Sequence, residues 1–160
     1  MKTPTVNLSI KDTKQDFVER KRSFKKALSQ NLIDKNLIPV LSMINDDPRL
    51  ATAWACESHE NKGEAFYVTF VHDENFPLVI KIYDNLIKSL EAHNFSGSKH
   101  KYELLNLSLS FDLLWSGNSL TKAVTLRYMP IDYKDKIFLN EEHKLTFIAL
   151  FNDSVSKSLL

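Results

Sequence analysis

Residues 34–72 read DKNLIPVLSMINDDPRLATAWACESHENKGEAFYVTFVH, and the order of apolar and polar positions in this stretch decides the fold. A helical pattern opens with Asp34 as the expected N-cap and stops at Asn45, ahead of an Asp-Asp-Pro break. Two apolar segments follow, at about 50–57 and 64–72, and a polar link that contains Gly63 joins them. The stretch therefore predicts a helix followed by a β-hairpin, with polar and reactive side chains where the two strands end.

The same kinds of pattern continue on both sides of this stretch. Apolar residues at helical spacing predict helices over about 14–30 and 76–93, and a last helix that begins after the N-cap Asn140. Alternation predicts strands over about 102–115 and 120–129. The predicted order is α-α-β-β-α-β-β-α, with the helices packed on a mostly antiparallel four- or five-stranded sheet. The expected apolar faces include Ile87, Phe111 and Leu145.

Length and composition favour one folded domain. The chain has 160 residues, of which 43% are hydrophobic and 26% charged, and the formal net charge is +1. We expect a single α+β domain over 14–160, with residues 1–13 as a loose arm or an edge strand. The N-terminal sequence lacks the apolar core of a signal peptide, and no apolar run reaches the roughly 20 residues that span a bilayer. Cys56 is the single cysteine, which excludes an internal disulfide. We therefore expect a soluble cytoplasmic protein without a membrane partner.

Reactive side chains gather at the two predicted strand ends. Cys56 and His59 have the Cys-x-x-His spacing, and His72 ends the next strand, so these three residues are candidate zinc ligands. Cys56 is alternatively a nucleophile with a histidine as its base, or an ordinary buried thiol near two surface imidazoles. Glu57 adds a carboxylate to the same place. The spacing alone leaves these alternatives open.

Positive charge and tryptophan supply a second set of candidates. The first predicted helix carries Arg20, Arg22, Lys25 and Lys26, which are candidate nucleic-acid contacts or a solvated helix face. Trp54 and Trp115 are candidates for stacking on bases, although tryptophan more often belongs to a core or its margin. The chain has three isolated glycines, which excludes a glycine-rich dinucleotide or P-loop motif.

The stretch resembles the third enzyme family of wybutosine synthesis, small methyltransferases that act on phenylalanine tRNA. That family shows an Asp-led helix of the form D-x-x-apolar-apolar ending in Asn, then T-T-S-S-C-(S/A)-G-R, then a strand ending in V-(S/T)-H. Here Asp34 leads Leu37-Ile38, the helix ends at Asn45, TAWACESH occupies 52–59 and FVH occupies 70–72. The paired serines of the family are replaced by Trp-Ala and its Gly-Arg by Ser-His.

Small proteins carried by phages and mobile elements show a related T-x-x-S-C-E-G-H pattern, which the Cys-Glu-Ser-His of this chain also resembles. These resemblances imply binding residues at seven positions: Asp34, Thr52, Cys56, Glu57, Ser58, His59 and His72. If the activity of the wybutosine family is retained, the implied cofactor is S-adenosylmethionine.

The sequence leaves three possible functions open. The first is a small accessory protein, of the kind that phages and mobile elements encode, which binds a partner protein, a nucleotide or RNA through the edge between Cys56 and His72. The second is an S-adenosylmethionine-dependent tRNA methyltransferase. The third is a metal-dependent hydrolase that uses Cys56, His59 and His72.

Overall fold

The computed structural model describes residues 9–10, 13–59, 65–71, 76–95, 106–116, 119–129 and 140–160. These residues form one α+β domain whose main elements follow the predicted order. The elements are β1 (Ser9–Ile10), α1 (Thr13–Ser29), a 3-10 turn (Lys35–Leu37), α2 (Ile38–Asp46), β2 (Ala51–Cys56), β3 (Phe66–Val71), α3 (Phe76–Ala92), β4 (Asn106–Ser116), β5 (Ser119–Met129) and α4 (Glu141–Leu159). No helix among the described residues is long and apolar enough to cross a membrane.

Strand β5 is the centre of the sheet. β4 pairs antiparallel with β5 along its whole length, and β3 pairs antiparallel with residues 123–128 of β5. β2 pairs antiparallel with β3, as the predicted hairpin requires, while the two residues of β1 run parallel to the start of β5. Because β2 has no strand partner other than β3 among the described residues, it forms an edge of the sheet.

The core lies on one face of the sheet, where alternate residues of the two inner strands are apolar. Phe66, Val68 and Phe70 of β3 lie beside Val124, Leu126 and Tyr128 of β5, and all six are fully buried. The ring of Phe66 meets that of Phe147 edge-on at 4.8 Å, and Tyr128 stacks on Phe147 at 4.4 Å between ring centroids. Apolar residues of α2, α3 and α4 complete this core.

Helices α3 and α4 pack closely because serines lie between them. Ser89 of α3 and Ser154 and Ser158 of α4 are buried. The hydroxyl of Ser154 donates to the carbonyl of Leu150 at 2.7 Å, and that of Ser158 donates to the carbonyl of Ser154 at 2.6 Å. These bonds satisfy hydroxyls that burial would otherwise leave without water. Asn140 caps α4 as predicted, since its side chain accepts from the amide of His143 at 2.7 Å.

Three residues that we expected on apolar faces are more exposed than expected. Ile87, Phe111 and Leu145 are 40%, 67% and 43% exposed, respectively. Ile87 directly follows the buried Leu86 and Leu145 lies two residues before the buried Phe147, but both lie on the margin of the apolar stripe. Phe111 belongs to β4, which pairs only with β5 among the described strands, and its ring lies 4.9 Å from that of Phe76. The periodicity predicted these elements correctly and placed these three side chains wrongly.

Candidate functional site at the end of β2

Asp34 lies in the loop between α1 and the 3-10 turn, and it contacts the end of β2. One oxygen of its carboxylate, Oδ2, accepts the backbone N–H of Glu57 at 3.0 Å and lies 3.1 Å from Nε2 of His59. Asp34 precedes the 3-10 turn without a side-chain capping bond, and α2 itself begins only at Ile38. The predicted N-cap role is therefore wrong, because the carboxylate is directed to residues 23 and 25 positions further along the chain.

The four residues Cys56 to His59 include the last residue of β2 and the three residues that follow it. Cys56, Glu57 and Ser58 are buried, whereas the side chain of His59 is 39% exposed. Ser58 has a φ of 75°, which is the left-handed region and costs a residue with a Cβ about 1–2 kcal/mol. Ser58 stands in the chain between Glu57, whose amide bonds to Asp34, and His59, whose ring also contacts Asp34. We call Asp34 and residues 56–59 the strand-end cluster.

Three different ligand atoms converge in this cluster. A carboxylate oxygen of Asp34, the sulfur of Cys56 and a ring nitrogen of His59 all lie within 4.8 Å of one another. The structure thus brings together two of the three predicted zinc ligands and adds Asp34 to them. The third, His72, lies outside the described residues. The arrangement offers one oxygen, one sulfur and one nitrogen donor to a metal ion.

Glu57 connects the strand-end cluster to α4. Its Oε1 lies 3.7 Å from Nζ of Lys144, which also pairs with Glu141 at 3.2 Å. Its other oxygen, Oε2, is buried and has no hydrogen-bond partner among the described residues. A buried carboxylate oxygen without a partner is rare in folded proteins. The backbone of Glu57 therefore faces Asp34, while its side chain faces the first turn of α4.

A cleft runs along the free edge of β2 and ends at Asp34. Its volume is about 280 Å³, and four consecutive residues, 52–55, line one side of it. These four residues belong to β2, an edge strand among the described residues. Arg20 and Phe24 of α1 lie on the opposite side. We call this space the β2 cleft.

Thr52 and Trp54 have opposite environments within the β2 cleft. Thr52 is buried, and Asn45 bonds to both its hydroxyl, at 2.9 Å, and its amide, at 3.1 Å. Trp54 is 52% exposed, so its side chain is not part of the core. Only the edge position of β2 could have indicated this exposure, and the sequence does not show which strand is an edge. The side chain of Trp115 lies outside the described residues.

The basic residues of α1 divide into two groups. Arg20 lines the β2 cleft and pairs with the buried Asp16 at 3.5 Å, while Arg22, Lys25 and Lys26 are exposed. Lys26 is three residues beyond Ser23, another residue of the cleft wall, so its charge lies near the cleft. Arg22, Lys25 and Lys26 stay candidates either for nucleic-acid contact or for a solvated helix face, and Arg20 has a more specific position than the sequence indicated.

Lys21, which the sequence placed in the same basic run as a candidate phosphate contact, joins α1 to the end of α2. Its Nζ donates to the carbonyl oxygens of Asn45 and Asp47, each at 2.6 Å. Burial lowers the pKa of Lys21, and the nearby carboxylates of Asp47 and Asp46 oppose this effect. A second, larger cleft of about 690 Å³ lies between α1 and α2, beside this lysine.

Comparisons with known proteins add little to this geometry. No protein-family model and no curated protein matches the chain. Among solved structures, the chain is similar to the PH1069 protein from Pyrococcus horikoshii, with 13% identity over 91% of this chain and 87% of that chain. The TM-score of 0.38 is too low for this likeness to support an argument about fold or function.

Proposed function

We propose that the protein is a small accessory protein that binds a nucleotide, either free or as part of an RNA, in the β2 cleft. The observation that carries this proposal is the exposed ring of Trp54 beside a cleft that has Arg20 on one wall and Asp34 at its end. The exposed ring can stack on a base, the positive charge can bind a phosphate, and the carboxylate can accept a hydrogen bond from a ribose hydroxyl.

The size and walls of the cleft support a small ligand of this class. Ligand pockets usually measure about 300–1,000 Å³, and the β2 cleft, at about 280 Å³, is near the lower end of that range. Ala53 and Ala55 are small, so they leave the backbone of β2 accessible from the cleft. Backbone N–H and C=O groups on the free edge of a strand are available to bond the polar edge of a base.

The surroundings of the cleft supply the rest of the recognition. An aromatic ring that stacks on a base contributes about 1–3 kcal/mol without regard to sequence, and Trp54 is free to do this from the surface. Arg20 and the nearby Lys26 offer positive charge to a phosphate group. Because the net charge is only +1, the surface as a whole does not attract phosphate groups. Such contacts therefore need local positive charge, which the cleft and α1 supply.

The proposal is tested by binding measurements on the full chain with two kinds of ligand. The four nucleoside monophosphates and a short single-stranded RNA are titrated separately, and the melting temperature reports binding to the native state. We expect stabilisation by at least one of them. We also expect Trp54→Ala to weaken binding by about 5- to 150-fold, which corresponds to the loss of about 1–3 kcal/mol of stacking.

Phe111→Ala is the matched control, because Phe111 is also an exposed aromatic residue, at 67% against 52% for Trp54, and it lies on the far edge strand β4. It should leave binding unchanged. Stabilisation by RNA alone would assign the ligand to a polymer, and stabilisation by a monophosphate would assign it to a free nucleotide. If neither ligand stabilises the protein, or if both variants bind alike, the proposal is wrong and a partner protein becomes the better hypothesis.

A methyltransferase of the wybutosine type is a second candidate, and one observation favours it. The position of Ser58, with its φ of 75°, corresponds to the glycine of the family pattern, and glycine adopts this conformation without strain. S-adenosylmethionine contains an adenosine group, so the β2 cleft suits it for the same reasons. Transfer of a labelled methyl group from S-adenosylmethionine to phenylalanine tRNA would support this function, and nucleotide binding without any transfer would favour the accessory protein.

A further inference from the structure

We infer that Asp34, Cys56 and His59 form a binding site for one zinc ion at the end of β2. The three ligand atoms come from two segments that are more than 20 residues apart, and they meet within 4.8 Å of one another. This inference does not require a nucleotide in the β2 cleft, because its ligand is a metal ion, and Asp34 is the one residue that belongs to both sites.

The donor set selects the kind of metal. Calcium and magnesium prefer sites built from oxygen atoms, and this site offers only one oxygen-bearing side chain. A thiolate, an imidazole and a carboxylate together are typical ligands of zinc, which accepts sulfur, nitrogen and oxygen. Three protein ligands leave the fourth tetrahedral position to water, which is the arrangement of zinc sites that are open to a substrate.

The distances are close to those that a zinc ion requires. With bonds of about 2.0–2.3 Å, ligand atoms in a tetrahedral site lie about 3.3–3.6 Å apart. Asp34 Oδ2 and His59 Nε2 are already 3.1 Å apart, and the widest pair in the cluster has to shorten by about 1 Å. The His59 side chain is 39% exposed, so it has room to rotate and it gives the ion access from solvent.

The carboxylate is already held in place for this role. The backbone N–H of Glu57 donates to Oδ2 of Asp34 at 3.0 Å, as an outer partner of a metal ligand does. Oδ1 and the remaining lone pair of Oδ2 stay available to the ion. On binding, the thiol of Cys56 releases its proton to solvent, and His59 coordinates through a nitrogen lone pair in place of its bond to Asp34.

The experiment uses cobalt(II) as a spectroscopic substitute for zinc on the full chain, after treatment with a chelator. We expect one equivalent of cobalt to produce a thiolate-to-metal charge-transfer band in the near ultraviolet, and one equivalent of zinc to remove it. Native mass spectrometry should then show one bound zinc ion. Cys56→Ser should abolish the band, and His59→Ala should weaken cobalt binding at least tenfold.

His93→Ala is the matched control, because His93 is not one of the three ligands and its ring bonds to the carbonyl of Ser89 at the end of α3. Circular dichroism checks that each variant is folded, and the exposed His59 provides a test even if Cys56→Ser does not fold. Absence of the band in the wild-type protein would overturn the inference, as would equal binding by His59→Ala and His93→Ala. Trp54→Ala should leave the band unchanged, which separates this site from the proposed nucleotide site.

Discussion

One carboxylate oxygen of Asp34 makes two contacts with residues at the end of β2. The Asp34 side chain makes no capping bond to the 3-10 turn that follows Asp34 in the chain. A side-chain cap at the start of a helix contributes about 1 kcal/mol, and an aspartate in this position is well suited to supply it. The structure directs the oxygen to the amide of Glu57 and the ring of His59 instead. These contacts fix the geometry of residues 56–59 relative to the β2 cleft. A residue that looks like a helix cap in the sequence is therefore a residue of the candidate site.

Ser58 carries the backbone strain of the cluster, and its substitution tests how much that strain costs. Ser58→Gly should keep the free energy of unfolding within about 1 kcal/mol of wild type or raise it, because glycine adopts a φ of 75° without a Cβ clash. Ser58→Val should lower it by about 2 kcal/mol or more, because a β-branched residue is poorly tolerated there and position 58 is buried. Urea denaturation of the three proteins gives the comparison. A Ser58→Val protein as stable as Ser58→Gly would mean that the turn is not strained.

At the scale of the element, an irregularity in β2 determines which side chains reach the surface. Thr52 lies opposite Phe70, whereas Trp54 lies opposite Thr69, so Ala53 is an extra residue in the ladder. Residues i and i+2 of a regular strand share one face, and one extra residue moves the second of them to the other face. Thr52 therefore lies on the core side next to Phe70, and Trp54 is exposed. The bulge is thus the local feature that places an aromatic surface beside the cleft.

The helix assignment at α3 is tested by two substitutions on the same helix. Ile82→Asp should lower the free energy of unfolding by about 4 kcal/mol or more, because Ile82 is fully buried and the new charge would have no partner. Ile87→Asp is the control, since Ile87 is 40% exposed and its new carboxylate reaches water. Thermal and urea denaturation measure both. A stably folded Ile82→Asp protein, or equal losses in the two variants, would contradict the packing of α3 against the core.

At the scale of the whole molecule, the sequence predicted the helices and strands but not the contacts between residues of different elements. Alternation and helical spacing are local properties, so they identified the strands, the helices and the Asn140 cap. The contact between Asp34 and Glu57 joins residues 23 positions apart, and no local pattern encodes it. Exposure of Trp54 depends on a bulge and on an edge strand, which are also properties of the assembled sheet. The resemblance identified the strand-end residues without explaining how they are arranged.

The position of α1 relative to the rest of the molecule defines the β2 cleft. Arg20 and Phe24 of α1 form one wall, and β2 forms the other. Phe24 is buried against the core, and Lys21 bonds to two carbonyl oxygens at the end of α2. The carbonyl of Asn45 belongs to the last turn of α2, where carbonyls have no partner within the helix, and that of Asp47 also accepts from the amide of Leu50 at 3.3 Å. A lysine is therefore well placed at this helix end. The cleft should therefore keep its shape only while Lys21 holds α1 in place.

Lys21→Met tests this dependence, because methionine keeps most of the apolar length of the side chain and removes the charge and its donors. We expect the free energy of unfolding to fall by about 1–3 kcal/mol, which is the range for hydrogen bonds to a charged group. We also expect faster hydrogen exchange in α1 than in α3, and weaker binding of any ligand of the β2 cleft, since one wall becomes mobile. Lys25→Met is the control for stability and hydrogen exchange, because Lys25 is exposed one turn further along α1. Unchanged exchange in α1 together with unchanged binding would show that Phe24 and its neighbours position the helix without Lys21.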